Sequence, residues 1–378
     1  MKVVEIDSIP LSYPLRNGDS YGNARGLVTA RQCTLVKLKT ESGMIGYGEA
    51  FGSPKIIHSL IEELREWFLS KQLFDYPTIA SKLLNGFYHL ASKGYLVCAI
   101  SGIEMAAWDA MGKTLGMPVH KLLGGKARDT FMAYGSTGYI TESNSLERLK
   151  EEVHLVESSG LQAIKIKVGT SLQEDIERVE IVRTLLPDIK IMVDINGNYT
   201  PDLAIQMIER LKPFELYWVE EPVPPHDLHG FRQIKHAEPG ITLATGEAEY
   251  TRYGFRELIQ EKLVDIVQPD LAKCGGIYEA KAISMMAQAN NIRISPHVWG
   301  GVVGRSAALQ LMASIPYYPH SLKEPEPMMF EYDLGENGLR DEIGTSPIQL
   351  ENGTITLLDK IGLGVELDEE KVQHYCIS

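Results

Sequence analysis

The sequence predicts an α/β fold built around a parallel (β/α) barrel, and three observations lead to that prediction. From about residue 131 to residue 325, short β-like apolar runs alternate with amphipathic segments, which is typical of a parallel sheet. Six of these runs end in a charged residue or a histidine, namely Lys165, Asp194, Glu220, Glu247, Asp270 and His297. The steps between these residues are 23 to 29 residues long, close to the length of one βα unit. Because a barrel brings the C-terminal ends of its strands to one face, we expect the six side chains to converge there.

The first 50 residues are predicted to form strands and one long loop. The runs VVEIDSIPL and TLVKLKT alternate between apolar and polar residues, and ESGMIGYGEA contains the glycine-rich turn of a hairpin. The polar, glycine-rich segment 12–29 separates two of these strands. Loops of this length inside compact proteins are usually lids or binding loops.

Residues 56–123 are predicted to be helical, and the chain from about residue 326 returns to turns and short strands. The first helix has apolar residues at helical spacing, at Ile56, Ile57, Leu60, Ile61, Leu64 and Phe68. A second helical run, LVCAISGIEMAAWDAMGKTLG, ends near Gly116 and Pro118, which together are a stop signal. We expect the C-terminal tail to pack against the N-terminal part.

The run AIKIKVG places Lys165 and Lys167 two residues apart, so in a strand both side chains lie on one face. Solvated lysines on an edge strand are the alternative for an isolated pair. Here Ile164, Ile166 and Val168 flank the lysines and favour a buried strand. We expect repulsion and burial to lower the pKa of each lysine, so that one of them acts as a base near neutral pH.

Asp194, Glu220 and Glu247 are predicted to form a metal site, because each ends one of three successive strands. Three inward carboxylates would repel one another strongly unless a cation lay among them. A ligand set made only of oxygens favours Mg²⁺, with Mn²⁺ as a possible substitute. Glu221 follows Glu220 directly, and the period of two in a strand does not decide which of the two points inward.

His297 and Asp270 end neighbouring strands, so the aspartate can orient the imidazole and raise its basicity. We interpret His297 as a second base opposite the lysines. Glu324 lies one further step along the chain and is expected to reach the same face from the eighth strand, where it would bind or protonate the substrate. A surface position is the alternative for Glu324, and Lys273 is either a competing base or a solvated lysine.

These residues together predict a reaction type. A divalent cation can bind a substrate carboxylate and stabilise the dianion that forms when the α-proton leaves. Bases on opposite faces of the same carbon can then remove and return protons.

Composition excludes several other classes of protein. The net charge of −13 argues against binding to nucleic acid. The four cysteines lie far apart without a CxxC pair, so we expect thiols in a reducing cytoplasm rather than disulfides or a zinc site. No uncharged apolar stretch approaches the roughly 20 residues that span a membrane. We therefore expect a cytoplasmic enzyme without membrane contact, and a non-catalytic barrel serving as a scaffold is the alternative.

Several segments, taken in order and at their spacing, resemble the enolase superfamily, and in particular its mandelate racemase branch. The N-terminal segment is AISGIEMAAWDAMGKTLGMPVHKLLGG. The barrel segments are KIKVG, VDINGNYT, WVEEPVPP, ATGE, VQPDLAKCGG and SPHVWG. Bases of the lysine or histidine type with Mg²⁺ stabilising an ene-diolate are a known pattern of that superfamily.

The resemblance implies a (β/α)7β, TIM-like barrel at residues 129–325 under an α+β capping domain made of residues 1–128 and 326–378. It implies metal binding by Asp194, Glu220 and Glu247, with Glu220 rather than Glu221 as the ligand.

The resemblance also implies roles for the remaining site residues. Lys167 would be one base with Lys165 as its electrostatic modulator, and His297 with Asp270 would be the second base. Contacts to the substrate would come from Tyr21, Asn23, Arg25, Asn196, Glu324 and Trp299.

The segments PHVWGGVVGRSAALQLMAS, EPMMFEYD, GLRDE and GLGVEL are most similar to enzymes that act on acid sugars, such as galactarate-type dehydratases and galactarolactone cycloisomerases. The expected activity is Mg²⁺-dependent dehydration of a sugar acid through an enediolate. Racemisation, epimerisation and lactone cycloisomerisation use the same two bases and stay open as alternatives. Glu326 competes with Glu324 for the last carboxylate position. The expected partner is a small-molecule carboxylate, and the protein is expected to be a homo-oligomer.

Overall fold

A computed structural model describes residues 1–16, 20–90, 93–317 and 325–377. Its N-terminal part consists of strands, three main helices and a short fourth helix, with a 3-10 turn at Leu73–Asp75. These elements are β1 (Val3–Pro14), β2 (Tyr21–Asn23), β3 (Gly26–Val28), β4 (Ala30–Thr40), β5 (Ile45–Ala50), α1 (Pro54–Phe68), α2 (Tyr76–Gly86), α3 (Tyr95–Leu115) and α4 (Val119–Leu122).

The capping domain is an antiparallel sheet in the order β1-β4-β5 with helices packed on it. Strand β5 approaches α3 closely because it carries glycines at Gly46 and Gly48. A Cβ atom on Gly48 would lie 2.0 Å from the carbonyl oxygen of Gly102 in α3. Strands β2 and β3 form a separate hairpin, and Gly22 exchanges two backbone hydrogen bonds with Ile140 of the barrel. The hairpin is therefore attached to the barrel as well as to the cap.

The barrel alternates strands and helices, as the sequence predicts. Its strands are β6 (Thr130–Thr137), β7 (Ala163–Lys167), β8 (Lys190–Asp194), β9 (Trp218–Glu220), β10 (Leu243–Thr245), β11 (Ile266–Val267) and β12 (Arg293–Ile294). Its helices are α5 (Ser145–Ser158), α6 (Leu172–Leu185), α7 (Pro201–Leu211), α8 (Leu228–Ala237), α9 (Thr251–Gln260), α10 (Ile277–Ala289) and α11 (Val302–Ala313), with a 3-10 turn at Lys212–Phe214. Each strand from β6 to β12 pairs in parallel with the next.

The eighth strand is β13 (Met329–Asp333), which pairs in parallel with β6. Within the described ranges, β12 and β13 share no backbone ladder. The two sides are joined instead by hydrogen bonds from Ser295 Oγ to Met329 O and from Val298 N to Glu331 Oε2, both 2.8 Å long. Seven βα units and a final strand make the (β/α)7β arrangement, so the predicted fold class is confirmed.

The C-terminal tail contacts both parts of the molecule. It comprises α12 (Gly338–Asp341), β14 (Gly344–Thr345), β15 (Ile348–Glu351), β16 (Thr354–Leu357), β17 (Glu366–Leu367) and α13 (Glu369–His374). Strand β16 pairs antiparallel with β6 of the barrel sheet, while the backbone of Ile377 donates to Pro10 of the cap at 2.9 Å. The barrel was expected to end at residue 325, but its last strand, β13, begins only at Met329. The reason is that the chain between α11 and β13 is longer than the connections between the other helices and strands of the barrel.

An apolar layer fills the barrel below its C-terminal mouth. It contains one inward side chain from each of seven strands, namely Tyr134, Ala163, Met192, Trp218, Ala244, Ile266 and Met329. Two residues further along, six of these strands place a polar side chain on the same inner face, namely Ser136, Lys165, Asp194, Glu220, Gln268 and Glu331. The intervening residues, such as Ile164 and Val193, pack outward against the helices. Successive inward side chains, two residues apart along each strand, thus form first an apolar layer and then a charged layer at the mouth of the barrel.

Among the described residues, every helix is too short or too polar to cross a bilayer.

Candidate active site

Three carboxylates from successive strands meet at the mouth of the barrel. One oxygen of each of Asp194, Glu220 and Glu247 lies within 4.8 Å of the corresponding oxygens of the other two. Asp194 and Glu220 are fully buried, whereas 18% of the Glu247 side chain is exposed. The backbone N–H of Asn196 donates to Asp194 Oδ1 at 2.9 Å, which orients that carboxylate.

Glu220 is held from several sides. Its Oε2 accepts hydrogen bonds from Gln268 Nε2 at 2.7 Å and from Trp218 Nε1 at 3.1 Å. Its other oxygen accepts from Lys165 Nζ at 2.7 Å. Glu221 is also buried, and its Oε1 is 3.4 Å from Thr245 Oγ1. Glu220 rather than Glu221 is therefore the member of the pair that joins Asp194 and Glu247.

The two lysines of β7 form buried ion pairs. Lys167 Nζ lies 2.5 Å from Asp194 Oδ2. Lys165 Nζ lies between Glu220 Oε1 at 2.7 Å and Glu331 Oε1 at 2.8 Å, and all three of these side chains are at most 1% exposed. The lysines are thus bonded to carboxylates rather than left facing each other.

The expectation that the lysines have lowered pKa values is wrong for this structure. Burial does lower the pKa of Lys165, but Glu220 and Glu331 outweigh burial and raise it well above its ordinary value. In the same way, Asp194 raises the pKa of Lys167 against the effect of burial. Burial and the repulsion between the two lysines lower both pKa values, but the nearer negative charges outweigh both effects.

His297 forms the predicted contact with Asp270. Its Nδ1 is 2.8 Å from Asp270 Oδ2, and its Nε2 is 3.2 Å from Glu247 Oε2. Burial lowers the pKa of His297, but the negative charges of Glu247 and Asp270 raise it above its ordinary value. Lys167 therefore reaches the carboxylate triad at Asp194, and His297 reaches it from another side at Glu247.

The last carboxylate of the site is Glu331, which the sequence reasoning missed. Glu324 lies outside the described residues, and β13 begins only at Met329. Glu331 accepts a hydrogen bond from the backbone of Val298, next to His297, and forms an ion pair with Lys165. The alternation in MFEYD was the available signal, but a step of 34 residues from His297 hid Glu331 from a search at intervals of about 27.

The two competing residues from the sequence analysis lie in different places. Glu326 bonds to Lys190 and Tyr217 at the N-terminal end of the barrel strands, away from the triad. Lys273 is 7% exposed and lies beside the triad, where its Nζ donates to the carbonyl oxygen of Glu247 at 3.0 Å. Its Nζ also lies 4.0 Å from the ring centroid of Phe51 in the cap. Lys273 is therefore buried rather than solvated.

Three of the expected substrate-binding residues line one cleft. Asn23, Arg25 and Asn196 surround a space of about 460 Å³ together with Glu247 and Glu221. Asn196 Oδ1 is buried and has no hydrogen-bond partner among the described residues. A buried carbonyl oxygen without a donor is costly, which marks Asn196 as a group that a ligand can satisfy.

Tyr21 and Trp299 instead belong to a cap–barrel contact around Arg31 and Asp333. The Tyr21 hydroxyl accepts from Arg31 at 3.0 Å, and the guanidinium of Arg31 lies 3.6 Å from the Trp299 ring centroid. Arg31 also donates to the Trp299 carbonyl oxygen and forms a 3.0 Å ion pair with Asp333. The Trp299 indole N–H donates to Tyr139 at 2.9 Å. The polar groups of both residues are thus used within the protein.

Comparisons with known proteins cover nearly the whole chain. A family model described as "Enolase C-terminal domain-like" matches residues 148–371, and one described as "Mandelate racemase / muconate lactonizing enzyme, N-terminal domain" matches residues 18–124. A D-galactarolactone cycloisomerase from Agrobacterium fabrum is 33% identical over 91% of this chain and 91% of its own length. An arabinonate dehydratase from Saccharolobus solfataricus is 32% identical over 90% of this chain and 89% of its own.

Solved structures show the same architecture. A variant of L-talarate/galactarate dehydratase with bound Mg and L-glucarate superposes with a TM-score of 0.87 at 25% identity, covering 100% of this chain and 92% of that one.

Proposed function

Because the chain belongs to the mandelate racemase/muconate lactonizing enzyme family of the enolase superfamily, we propose that it removes the proton next to the carboxylate of a sugar acid and expels the β-hydroxyl group as water. The observation that carries this proposal is the carboxylate triad of Asp194, Glu220 and Glu247, which Lys167 and His297 approach from different sides. The arabinonate dehydratase among the relatives and the L-glucarate bound in the solved L-talarate/galactarate dehydratase variant support the choice of substrate class.

The charges at the mouth fit a divalent cation. Six carboxylates, Asp194, Glu220, Glu221, Glu247, Asp270 and Glu331, share this space with four basic groups, Lys165, Lys167, Lys273 and His297. Burial raises the pKa of Glu220 to about 7 and that of Glu221 well above its ordinary value, and the neighbouring carboxylates add to both shifts, so a divalent cation bound here would stabilise the ionised forms. Oxygen ligands without sulfur favour Mg²⁺, and Mn²⁺ accepts the same set. We propose Asp194, Glu220 and Glu247 as the ligands.

A bound Mg²⁺ would hold the substrate carboxylate and stabilise the negative charge that develops there as the α-proton leaves. Lys167 would take that proton in its neutral form. Against the effect of burial, Asp194 raises the pKa of Lys167, and coordination of Asp194 to the cation would offset that rise, so that the positive charge of Lys165 would then favour the neutral form. His297 would give its proton to the departing β-hydroxyl, so that one C–H bond and one C–O bond break and water leaves. Against the effect of burial, Glu247 and Asp270 raise the pKa of His297 above its ordinary value, which favours the protonated imidazole that this role requires.

Other residues would position the reacting groups. Asp270 accepts from Nδ1 of His297 and so leaves Nε2 directed at the reaction space. Asn23, Arg25 and Asn196 would hydrogen-bond to the hydroxyl groups of the sugar chain. We propose that Glu331 holds Lys165 and the chain beside His297 in place and does not itself contact the substrate.

Cycloisomerisation of a sugar-acid lactone is a second candidate, because the Agrobacterium relative at 33% identity is a D-galactarolactone cycloisomerase. The same bases serve both reactions. They differ in whether water leaves, so product analysis separates them.

The test combines a substrate screen with metal titration. Aldonates, aldarates and their lactones are incubated with the protein and Mg²⁺ in deuterated water. A 2-keto-3-deoxy acid indicates dehydration, and a deuterated isomer indicates cycloisomerisation or epimerisation. Lys167→Ala and His297→Asn should abolish turnover while calorimetry still shows Mg²⁺ binding. Turnover that survives in both variants would refute the proposal.

Calorimetry also tests the ligand set. Asp194→Asn should weaken Mg²⁺ binding by at least about 10-fold, since it removes a charged ligand from the triad. Glu326→Gln is the matched control, because Glu326 lies at the other end of the barrel and should leave Mg²⁺ affinity unchanged. Equal affinities in the two variants would place the metal elsewhere.

A further inference from the structure

A short segment at the end of β5 in the capping domain contacts both loops that carry the His297–Asp270 pair. Glu49 is 1% exposed, and its two oxygens accept from the backbone N–H groups of Gly301 at 2.6 Å and Gly304 at 2.9 Å. Two residues later, the backbone N–H of Phe51 donates to the carbonyl oxygen of Ala272 at 3.1 Å. The first contact lies four residues after His297, and the second lies two residues after Asp270.

The glycines after His297 are explained by the approach of Glu49. A Cβ atom on Gly300, Gly301 or Gly304 would lie 2.2, 2.9 or 3.1 Å, respectively, from an oxygen of Glu49. For Gly304, the three nearest atoms all belong to Glu49. The run GGVVG therefore makes room for this one side chain, which then binds the free amides at the start of α11.

Glu49 has no ion-pair partner among the described residues, so the amides at the start of α11 are its main stabilisation. A buried carboxylate held only by one helix terminus keeps that terminus in place, because any displacement leaves the charge unsatisfied. Only three residues separate His297 from Gly301, so we expect a shift of Gly301 to displace the imidazole.

We propose that Glu49 is a positioning residue for the His297–Asp270 pair, through which docking of the capping domain sets the geometry of the proton donor. Glu49 is not among the residues that line the cleft of Asn23, Arg25 and Asn196. It acts by fixing the loop after His297, while the adjacent backbone at Phe51 fixes the loop after Asp270. The effect on turnover rests on the proposed function, whereas the effect on the geometry of the pair does not.

Glu104 provides a matched control within the same domain. It is likewise a buried carboxylate of the cap that binds the start of a barrel helix, through the backbone N–H groups of Ile277 at 2.7 Å and Tyr278 at 3.1 Å. These contacts begin seven residues after Asp270 and do not involve the loop after His297. Glu104→Gln should therefore change stability without a selective effect on kcat.

The kinetic test uses Glu49→Ala, Gly304→Ala and the double variant. Displacement of a reacting group by about 1 Å can cost about 100-fold in rate. We expect Glu49→Ala to lower kcat by about 10- to 100-fold and Gly304→Ala to lower it less, because its 3.1 Å contact requires only a small shift, with KM changed less than about threefold in both variants. The added methyl of Gly304→Ala contacts only Glu49 at close range, so the double variant should be no slower than Glu49→Ala alone. Losses of kcat that multiply in the double variant would overturn the proposal. It would also be overturned if Glu49→Ala kept a kcat within twofold of wild type and an unchanged His297–Asp270 hydrogen bond.

A second readout needs neither substrate nor metal. In protein labelled with ¹⁵N-histidine, the Nδ1–H of His297 that bonds to Asp270 is assigned by its loss in His297→Asn. We expect this resonance to shift or to exchange faster in Glu49→Ala and Gly304→Ala, but not in Glu104→Gln. An unchanged resonance in both folded variants would overturn the proposal. A changed resonance with full turnover would support the positioning role and count instead against His297 as the proton donor.

Discussion

Replacement of Lys165 by methionine tests whether the buried ion pairs at the barrel mouth hold the site together. Methionine keeps most of the volume of the lysine side chain but removes its charge, so Glu220 and Glu331 lose their shared partner. At the observed separations of 2.7 and 2.8 Å, each attraction is about 6 kcal/mol at an effective dielectric constant of about 20. Desolvation offsets much of that attraction, and breaking a buried pair from one side typically costs about 3–5 kcal/mol.

We therefore expect Lys165→Met to lower the free energy of unfolding by about 3–5 kcal/mol at pH 7. With an unfolding entropy of about 2.1 cal/mol/K per residue, that loss lowers the Tm by about 4–6 °C if the chain unfolds as one unit. Calorimetry in the presence of a chelator measures the difference without a contribution from bound metal. Lys39→Met is the matched control, because Lys39 and Glu5 form a 3.6 Å pair that is more than 40% exposed on both sides. An exposed pair contributes less than about 1 kcal/mol.

The difference in unfolding free energy between wild type and Lys165→Met should also decrease as the pH falls. Burial alone would raise the pKa of Glu331, but Lys165 holds it at about 2, below the ordinary value of 4.5. A group whose pKa is lowered by folding stabilises the native state above its unfolded pKa, and that stabilisation is lost as the pH falls toward the folded pKa. The gap between wild type and Lys165→Met should thus be largest near neutral pH and shrink below about pH 4.5. A loss at pH 7 no larger than that of Lys39→Met would refute the reasoning.

Three further predictions concern other parts of the molecule. Gly48→Ala should lower the free energy of unfolding by about 1–3 kcal/mol or more in a denaturant titration, because its new Cβ would lie 2.0 Å from the backbone of Gly102. Gly86→Ala is the control, because its Cβ would meet no atom within 4 Å and should cost nothing. Equal losses in the two variants would contradict this prediction. Arg25→Leu should raise KM several-fold in steady-state kinetics, because Arg25 lines the cleft. The free energy of unfolding should change by less than about 0.5 kcal/mol, because the side chain is exposed. An unchanged KM would exclude Arg25 from substrate binding. Glu326→Gln should leave kcat within about twofold of wild type, because its partners lie at the far end of the barrel, and a large loss of activity would restore it as a site candidate.

The barrel was predictable because its signals are local and repeated. Each apolar run has the length of a strand, and the runs recur at a regular interval. Because every βα unit follows the same right-handed path, this interval is enough to predict that the strand ends meet at one face. The convergence of Asp194, Glu220 and Glu247 follows from that regularity without knowledge of any individual contact. The period of two also predicted that Lys165 and Lys167 share one face.

The partners of these groups depended on the tertiary structure. The spacing in the sequence predicted Glu324 as the last carboxylate, with Glu326 as its competitor, and Glu324 lies outside the described residues. The structure brings Glu331 to Lys165 and to the chain beside His297. The same contacts reverse the expected direction of the lysine pKa shifts, since electrostatic interactions depend on distances of a few ångströms that no interval encodes.

Docking of the capping domain decided the roles of residues that lie far from the barrel strands in sequence. The substrate contacts of Tyr21 and Trp299 stay predictions, whereas the structure shows that the buried Arg31 of the cap bonds to both residues. Glu49 carries no sequence signal at all, and only the packed structure places it on Gly301 and Gly304. Periodicity along the chain thus determined which side chains face the mouth of the barrel. Which residues of the cap contact that mouth was decided by the packing of the capping domain on the barrel, because contacts such as those of Arg31 with Trp299 and of Glu49 with Gly301 join residues more than 250 positions apart.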